Sequence, residues 1–280
     1  MCPSARITGS RRLVAAPFCG EFGWELMSWQ AYLRHLAKSY DEVVVCSRAG
    51  RAPLYSDFAT KFVPHSIKGL ADCWWTSSDQ RLAIERLREE LLKDGGVFIG
   101  PRSVPLAEQD FIPFGRAEEA KHRFDVIVHA RGEVGKRFEA AWEPSHCDQV
   151  VERLLKLGLT VGAIGTQAYS PVGAEDCRNV GLQADMDLLA ACGVAIGPSS
   201  GPLHLASLCR AKHIVWTDRR YFSRIKATNR QRYETKWNPL NTPVMVVDAY
   251  GWQPPVDVIV RSVQEAFEKW KIPTTCITAG

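Results

Sequence analysis

Short apolar runs alternate along this chain with longer stretches in which apolar residues recur every three or four positions, the pattern of an α/β protein. Leu13-Val14-Ala15-Ala16-Pro17-Phe18 reads as a buried strand, and Cys19-Gly20-Glu21-Phe22-Gly23 as the turn that follows it. Leu26, Trp29, Leu33 and Leu36 then fall at helical spacing, which predicts an amphipathic helix over about 24–38. Glu42-Val43-Val44-Val45-Cys46 is a second strand, with Ser47-Arg48-Ala49-Gly50-Arg51 as a loop at its end. Strand, helix and strand in this order make a βαβ unit. Its strands are parallel, and ligands lie beyond their carboxyl ends. Glu21, Arg48 and Arg51 all fall at that end.

The next stretch is less regular. Phe62-Val63 suits a strand, and Gln80 to Lys93 a charged helix with Leu82, Leu87 and Leu91 as its buried face. Gly95-Gly96 stops that helix before a short strand, Val97-Phe98-Ile99. Residues 100–123 mix Pro, Gly and charge, and the domain linker is expected there or shortly after. The second half repeats the alternation without repeating the sequence. Strands are expected at Phe124–Ala130, Thr160–Gly165, Val194–Ile196, His213–Trp216 and Val244–Val247. Helices are expected at Pro144–Lys156, Asp185–Ala191, Pro202–Cys209 and Val256–Lys271, the last along Val260, Val263 and Phe267. The expected division is a domain over 1–120 and a second over 121–280, with residues 1–12 as a disordered basic leader.

One stretch organises the rest: Val194 to Ser207, an apolar strand, a turn of Gly197-Pro198-Ser199-Ser200-Gly201, and a helix opening at Pro202. Proline is favoured in the first turn, where its missing N–H costs nothing. The free N–H groups of that turn and the helix dipole attract anions. Ser199, Ser200 and Gly201 are therefore candidate phosphate ligands, although an ordinary capped helix would use the same residues. His204 lies one turn further in, as a phosphate ligand or a packed core residue. Arg131 and Lys136, in the loop Arg131–Trp142, are candidate cations for the same anion, or a solvated loop. Gly165 ends a strand where a nucleotide can pass close, or is a plain turn glycine. Glu21 is the candidate general base, with Glu25 next; otherwise Glu21 is a helix N-terminal acid.

Composition narrows the class. The 280 residues are 46% hydrophobic and 24% charged, and no apolar run reaches the roughly 20 residues of a membrane span. No apolar segment suited to a signal peptide follows the basic start. Nine cysteines lie scattered without metal-type spacing, which fits reduced thiols in the cytoplasm and no zinc site. A net charge of +4 suits a phosphorylated ligand. Between Arg219 and Trp237, Arg219, Arg220, Arg224, Lys226, Arg230, Arg232 and Lys236 interleave with Tyr221, Phe222, Tyr233 and Trp237. Such a run can hold nucleic acid or be a solvated surface with buried aromatic anchors. Trp24, Trp29, Trp74 and Trp75 are candidate sugar platforms or core, with Trp74-Trp75 the exposed pair.

Three patterns arrive in a particular order: Gly20-Glu21 after the first strand, the basic loop His129-Ala130-Arg131 through Lys136-Arg137, and Ser199-Ser200-Gly201 with His204-Leu205-Ala206. Together they resemble GT-B glycosyltransferases, most closely the heptosyltransferase-like family of bacterial lipopolysaccharide synthesis. That family carries Gly-Asp near its N-terminus, a basic loop opening its second domain, and Asp-Thr-Gly followed by His-Leu-Ala. Here Glu21 stands in place of the Asp, and Ser199-Ser200 in place of Asp-Thr. The resemblance implies an α/β, GT-B-like fold of two Rossmann-like domains facing a central cleft, with the C-terminal helix packing back toward the first. It implies an inverting transfer from a nucleoside-diphosphate sugar to a hydroxyl acceptor. No Asp-x-Asp motif is present, so a metal-independent reaction without a resident cofactor is expected. A saccharide acceptor is favoured. The alternatives are a phage-type DNA glycosyltransferase acting on hydroxymethylated bases, a sugar-nucleotide epimerase, and a non-catalytic nucleotide-sugar binding protein.

Overall fold

The computed structural model describes residues 11–67, 78–131, 142–166, 168–222 and 226–274. The chain divides into two compact units, Met1–Asp110 and Phe111–Gly280.

In the first unit, strand β1 (Arg12–Ala15) leads to α1 (Phe22–Trp24), which runs through a π-helical turn, Glu25–Trp29, into α2 (Gln30–Ala37). Strands β2 (Glu42–Arg48) and β3 (Lys61–His65), helix α3 (Ser78–Leu91) and strand β4 (Val97–Ile99) follow. The described strands form a four-stranded parallel sheet in the order β3-β2-β1-β4. Val14, Val44 and Cys46 pack under Leu87 and Leu91 of α3. Leu82, expected in that buried stripe, is 58% exposed, because the first turns of α3 overhang the apolar cluster. Arg12, expected in the leader, is instead the first residue of β1. Its buried guanidinium donates to the carbonyls of Leu91 and Gly95 (2.9 and 2.7 Å) and pairs with Glu42 at 3.0 Å, tying the sheet to the end of α3.

The second unit begins with β5 (Val126–Val128), α4 (Pro144–Lys156), β6 (Val161–Ala163), β7 (Glu175–Asp176) and α5 (Leu182–Ala191). Strand β8 (Val194–Pro198), α6 (Gly201–Leu208) and β9 (His213–Trp216) come next. A small hairpin, β10 (Tyr221–Phe222) and β11 (Ala227–Thr228), leads into α7 (Asn229–Thr235), then β12 (Val244–Val247) and α8 (Val256–Trp270). The described sheet is six-stranded, parallel throughout, in the order β12-β9-β8-β5-β6-β7. The chain first builds outward from β5 to β7, then returns to the other side of β5 and builds outward from β8. This is the Rossmann winding, with its switch point between β5 and β8. Alternate residues of the strands, Val126 and Val128, Val194 and Ile196, Ile214 and Trp216, form one core with α4 and α8. Helix α6 packs against β8, β9 and α5.

In helix α8, Ile259, Val260, Val263 and Ala266 join the core shared with α4. An ion pair between Arg153 and Asp257 fastens the two helices.

The junction between units is pinned on both sides. The Asp110 N–H donates to the Ala31 carbonyl and its own carbonyl accepts from Arg34, each at 3.0 Å. Lys38 meets its carboxylate at 2.7 Å. Phe114 donates its N–H to the Leu208 carbonyl at 2.9 Å, and Arg116 donates its N–H to Asp187 Oδ1 at 2.8 Å. The residues from Phe114 onward are thus committed to the second unit, and the division falls N-terminal of the expected 120/121 boundary.

Two buried imidazoles make the second unit sensitive to acid. Burial holds His129 and His213 down to about 4. A lowered folded value means that between about 6.5 and 4 the unfolded chain binds a proton that the folded chain refuses. Stability is therefore full above 6.5 and falls as pH drops, by about 1 kcal/mol per pH unit for each ring. Calorimetry between pH 7 and 4.5 is expected to show the melting temperature of this unit falling, with a shallower slope in His213→Gln. An equal slope in the variant would exclude His213 from the effect.

Candidate functional site

The carboxyl ends of β5 and β8 flank the switch point of the second sheet, the place where open α/β sheets bind ligands. His129, Ala130 and Arg131 leave β5 there, and Ser199, Ser200 and Gly201 leave β8. The two strands are hydrogen-bonded neighbours (Val128 opposite Ile196), so residues nearly 70 positions apart in sequence emerge side by side. This brings together the turn and the start of the basic loop. Lys136 and Arg137 lie outside the described residues, as do Trp74 and Trp75.

The helix after the turn starts at Gly201, with Ser200 as its extended N-cap and Pro202 within the first turn. Ser200 does not cap α6 with its side chain. Its hydroxyl donates instead to the Pro198 carbonyl at 2.9 Å, which leaves the oxygen lone pairs as acceptors and the helix start without a side-chain cap. Ser199 is buried, and Ser200 and Gly201 are half-buried. The dipole and the first-turn N–H groups of α6 remain the features that attract an anion.

His204 takes the second of its two expected places, as a packed residue. Its ring is buried, stacked on Tyr233 (centroids 5.4 Å apart, 12° between planes) and met edge-on by Trp237 at 4.5 Å. It braces α6 against α7 rather than presenting an open face beside the turn. Helix α7 is itself built for this. Thr228 and Gln231 form a reciprocal capping box at its start, the Thr-x-x-Gln signature that sequence reading could have found. Asn229 donates to the Thr217 hydroxyl at 2.6 Å, and the Tyr233 ring one turn on is wholly buried. Thr217 and Ser199 follow neighbouring strands, so the start of α7 is tied to the strand end next to the turn.

Gly165 also has a structural reason. Its φ is +118°, and a Cβ there would lie 2.7 Å from His129 Nδ1. The glycine makes room for the His129 ring, whose Nδ1 faces the Ile164 carbonyl at 3.3 Å. The close approach at this strand end is therefore by the protein's own imidazole. Arg131 is half-buried, and its charge adds to burial in keeping His129 neutral.

The basic and aromatic run is largely paired off. Arg230 grips both oxygens of Asp248 (2.8 and 2.9 Å) and the Val246 carbonyl. Arg219 faces Asp248 at 3.7 Å, Arg220 faces Asp218 at 3.5 Å, and Arg232 lies 3.4 Å over the Trp237 ring. Tyr233 is core. Arg230 and Tyr233 are thus used in packing, Lys226 and Lys236 are exposed, and Arg224 and the side chains of Tyr221 and Phe222 lie outside the described residues. Among the described residues, no group of three or more His, Cys, Asp or Glu is placed to hold a metal, and no helix is long and apolar enough to cross a membrane.

In the first unit the carboxyl ends of β1, β2 and β3 carry the acid residues and their neighbours. Arg48 donates to the Cys19 carbonyl at 2.8 Å, and His65 Nε2 meets the Phe18 carbonyl at 3.1 Å, so the loop after β1 is held from β2 and β3. Glu21 is the half-buried N-cap of α1. Its carbonyl accepts the N–H groups of Trp24 and Glu25, each at 3.1 Å, and its side chain does not cap the helix. Glu25 is only 2% exposed. Its Oε1 accepts from Ser47 Oγ at 2.5 Å and from the Tyr55 hydroxyl at 2.6 Å, and its Oε2 faces Arg51 Nε at 3.7 Å. Burial raises the Glu25 carboxyl above the usual range, against Arg51, Ser47 and Tyr55, which favour its charged form. Glu25 thus has its oxygens committed inside the protein, whereas Glu21 stands at the helix entrance. Trp29 is core, and Trp24 is half-buried.

No protein-family model and no curated protein matches the chain. Solved structures do. The E. coli ADP-heptose lipopolysaccharide heptosyltransferase II aligns over 93% of this chain and 99% of its own, at 14% identity and a TM-score of 0.57. A family 9 glycosyl transferase from Veillonella parvula aligns over 93% and 96%, at 12% identity and a TM-score of 0.57. The E. coli heptosyltransferase WaaC with ADP aligns over 91% and 100%, at 13% identity and a TM-score of 0.55. At such identities the likeness concerns the fold, and the fold is the heptosyltransferase-like GT-B one, with two Rossmann-like halves in a single chain.

Proposed function

We propose that this protein is a cytoplasmic glycosyltransferase that moves a sugar from a nucleoside-diphosphate sugar to a saccharide hydroxyl, with inversion and without a metal. The observation that carries the reading is that the Ser199-Ser200-Gly201 helix start and Arg131 leave adjacent strands at the switch point of the second sheet. A departing diphosphate gains negative charge in the transition state, and fixed donors aimed at it lower the barrier. In this reading Ser199, Ser200, Gly201, Arg131 and Lys136 balance that charge. Gly165 and His204 act at one remove, by seating His129 and bracing α6. Glu21 takes the acceptor proton. The fold likeness to proteins named for ADP-heptose and crystallised with ADP puts ADP-sugars first among donors to try.

The test is thermal-shift binding of ADP, UDP, GDP and their sugars, since a ligand that binds only the native state raises its melting temperature. One nucleotide series is expected to stabilise the second unit. Ser200→Asp is expected to abolish that shift, because a carboxylate at the helix start repels the diphosphate, with a loss of about tenfold or more in affinity. Unchanged affinity in Ser200→Asp would place the phosphates elsewhere. Transfer to a saccharide and not to hydroxymethylated DNA is the expected outcome with acceptors.

A further inference from the structure

The first unit holds a buried carboxylate, Glu25, which the proposed reaction leaves without a proton-transfer role. Glu25 opens the π-helical turn between α1 and α2, and such turns displace a side chain from the regular helical path, often at functional sites. Here the displaced position faces the end of β2 and the loop after it. Three residues of that segment converge on one carboxylate: Ser47 and Tyr55 on Oε1, and Arg51 on Oε2. The Arg51 guanidinium also lies 3.8 Å over the ring of Phe22. Phe22 is the residue next to Glu21 and the first of α1. Carboxylate on one side and aromatic face on the other leave the guanidinium little freedom, and Arg, unlike Lys, is planar enough to use both at once.

We propose that Glu25 is a positioning residue that works through Arg51: it fixes the guanidinium against Phe22, at the start of the helix whose N-cap is Glu21. This rests on the reading of Glu21 as the base. A carboxylate that takes a proton from a weakly nucleophilic hydroxyl must be held still, and a guanidinium fixed over Phe22 anchors the residue that follows Glu21. Ser47 and Tyr55 hold the carboxylate in place; Arg51 is the group through which it acts.

A double-mutant cycle on acceptor kcat/KM tests this, using the full-length protein and the nucleotide-sugar that the wild type consumes. Glu25→Gln keeps an oxygen for Ser47 and Tyr55 but turns an amide toward Arg51. Arg51→Gln removes the guanidinium. Each single variant is expected to lose about tenfold, and the double variant no more than either, a coupling typical of residues acting as one unit. Multiplying losses would show that Glu25 acts independently of Arg51, and overturn the proposal. A far deeper loss in Glu25→Gln than in Arg51→Gln would make Glu25 the base and overturn it too. The same cycle on melting temperature, with Tyr55→Phe beside it, reads the contact itself and needs no activity. Coupling in stability but none in kcat/KM would reduce Glu25 to a structural role. A wild type that transfers no sugar from any donor would instead sink the glycosyltransferase reading.

Discussion

Glu21→Gln is expected to lower the single-turnover transfer rate about 10²–10⁴-fold at saturating donor and acceptor, the range a positioned general base contributes. The substitution is isosteric, and the Glu21 side chain does not cap α1. The lost charge at a half-buried helix N-terminus is expected to cost up to about 2 kcal/mol, which calorimetry on the variant reads. Nucleotide affinity is expected to be unchanged, since the proposed diphosphate ligands all belong to the second unit. Rapid-quench measurement with labelled donor, together with thermal-shift binding of the nucleotide, separates these effects. A full rate in Glu21→Gln removes Glu21 from proton transfer. Normal nucleotide binding with no turnover in the wild type, across saccharide acceptors, would make the protein a binding module.

The choice between Glu21 and Glu25 shows where sequence reasoning stops. Both acids follow the first strand, four residues apart, and spacing alone puts them on one side of a helix. What separates them is the company that each keeps. Glu25 meets Ser47 and Tyr55, 22 and 30 residues away, through the pairing of β1 with β2 and the loop beyond it. No local pattern announces that meeting. The π-helical turn that places Glu25 is equally silent in a sequence that reads as plain helix. Strands β9 and β12, by contrast, were legible to the residue, because His213–Trp216 and Val244–Val247 are short apolar runs bounded by turns. The switch-point geometry was half legible. The order of elements predicts parallel sheets, but only the pairing of β5 with β8 shows that Arg131 and Ser199 leave adjacent strands. For His204 and Gly165 a chemical and a packing reading stand side by side in the local motif, and the packing partner is a ring distant in sequence, Tyr233 for one and His129 for the other.

Gly115→Ala is expected to be the most destabilising small substitution in the second unit. Gly115 sits in the segment that enters this unit, between the Phe114 N–H bonded to Leu208 and the Arg116 N–H bonded to Asp187. Its φ is +77°, a conformation that costs an alanine about 1–2 kcal/mol. A Cβ would stand 2.1 Å from the Met186 carbonyl oxygen and 2.6 Å from its carbon, with Ala190 Cβ at 3.0 Å. These are atoms of α5, whose backbone cannot yield without losing helical hydrogen bonds, so overpacking adds about 1–3 kcal/mol. A total of roughly 2–5 kcal/mol lowers the melting temperature of a unit this size by about 4–20 °C. Gly100→Ala is the control, because nothing lies within 4 Å of a Cβ there. Two calorimetric transitions, with the first unit's unmoved and the second's lowered, would show that the segment from Phe114 belongs to the second unit's cooperative core. A Gly115→Ala protein melting with the wild type would mean that this segment is only laid against α5. The lesion also has a functional reach: Asp187, which holds Arg116, lies on α5, and α5 packs on α6, the helix that begins at the proposed phosphate turn. Nucleotide affinity in Gly115→Ala, measured below its melting range, is thus expected to fall as well, whereas a clash confined to the linker would leave it intact.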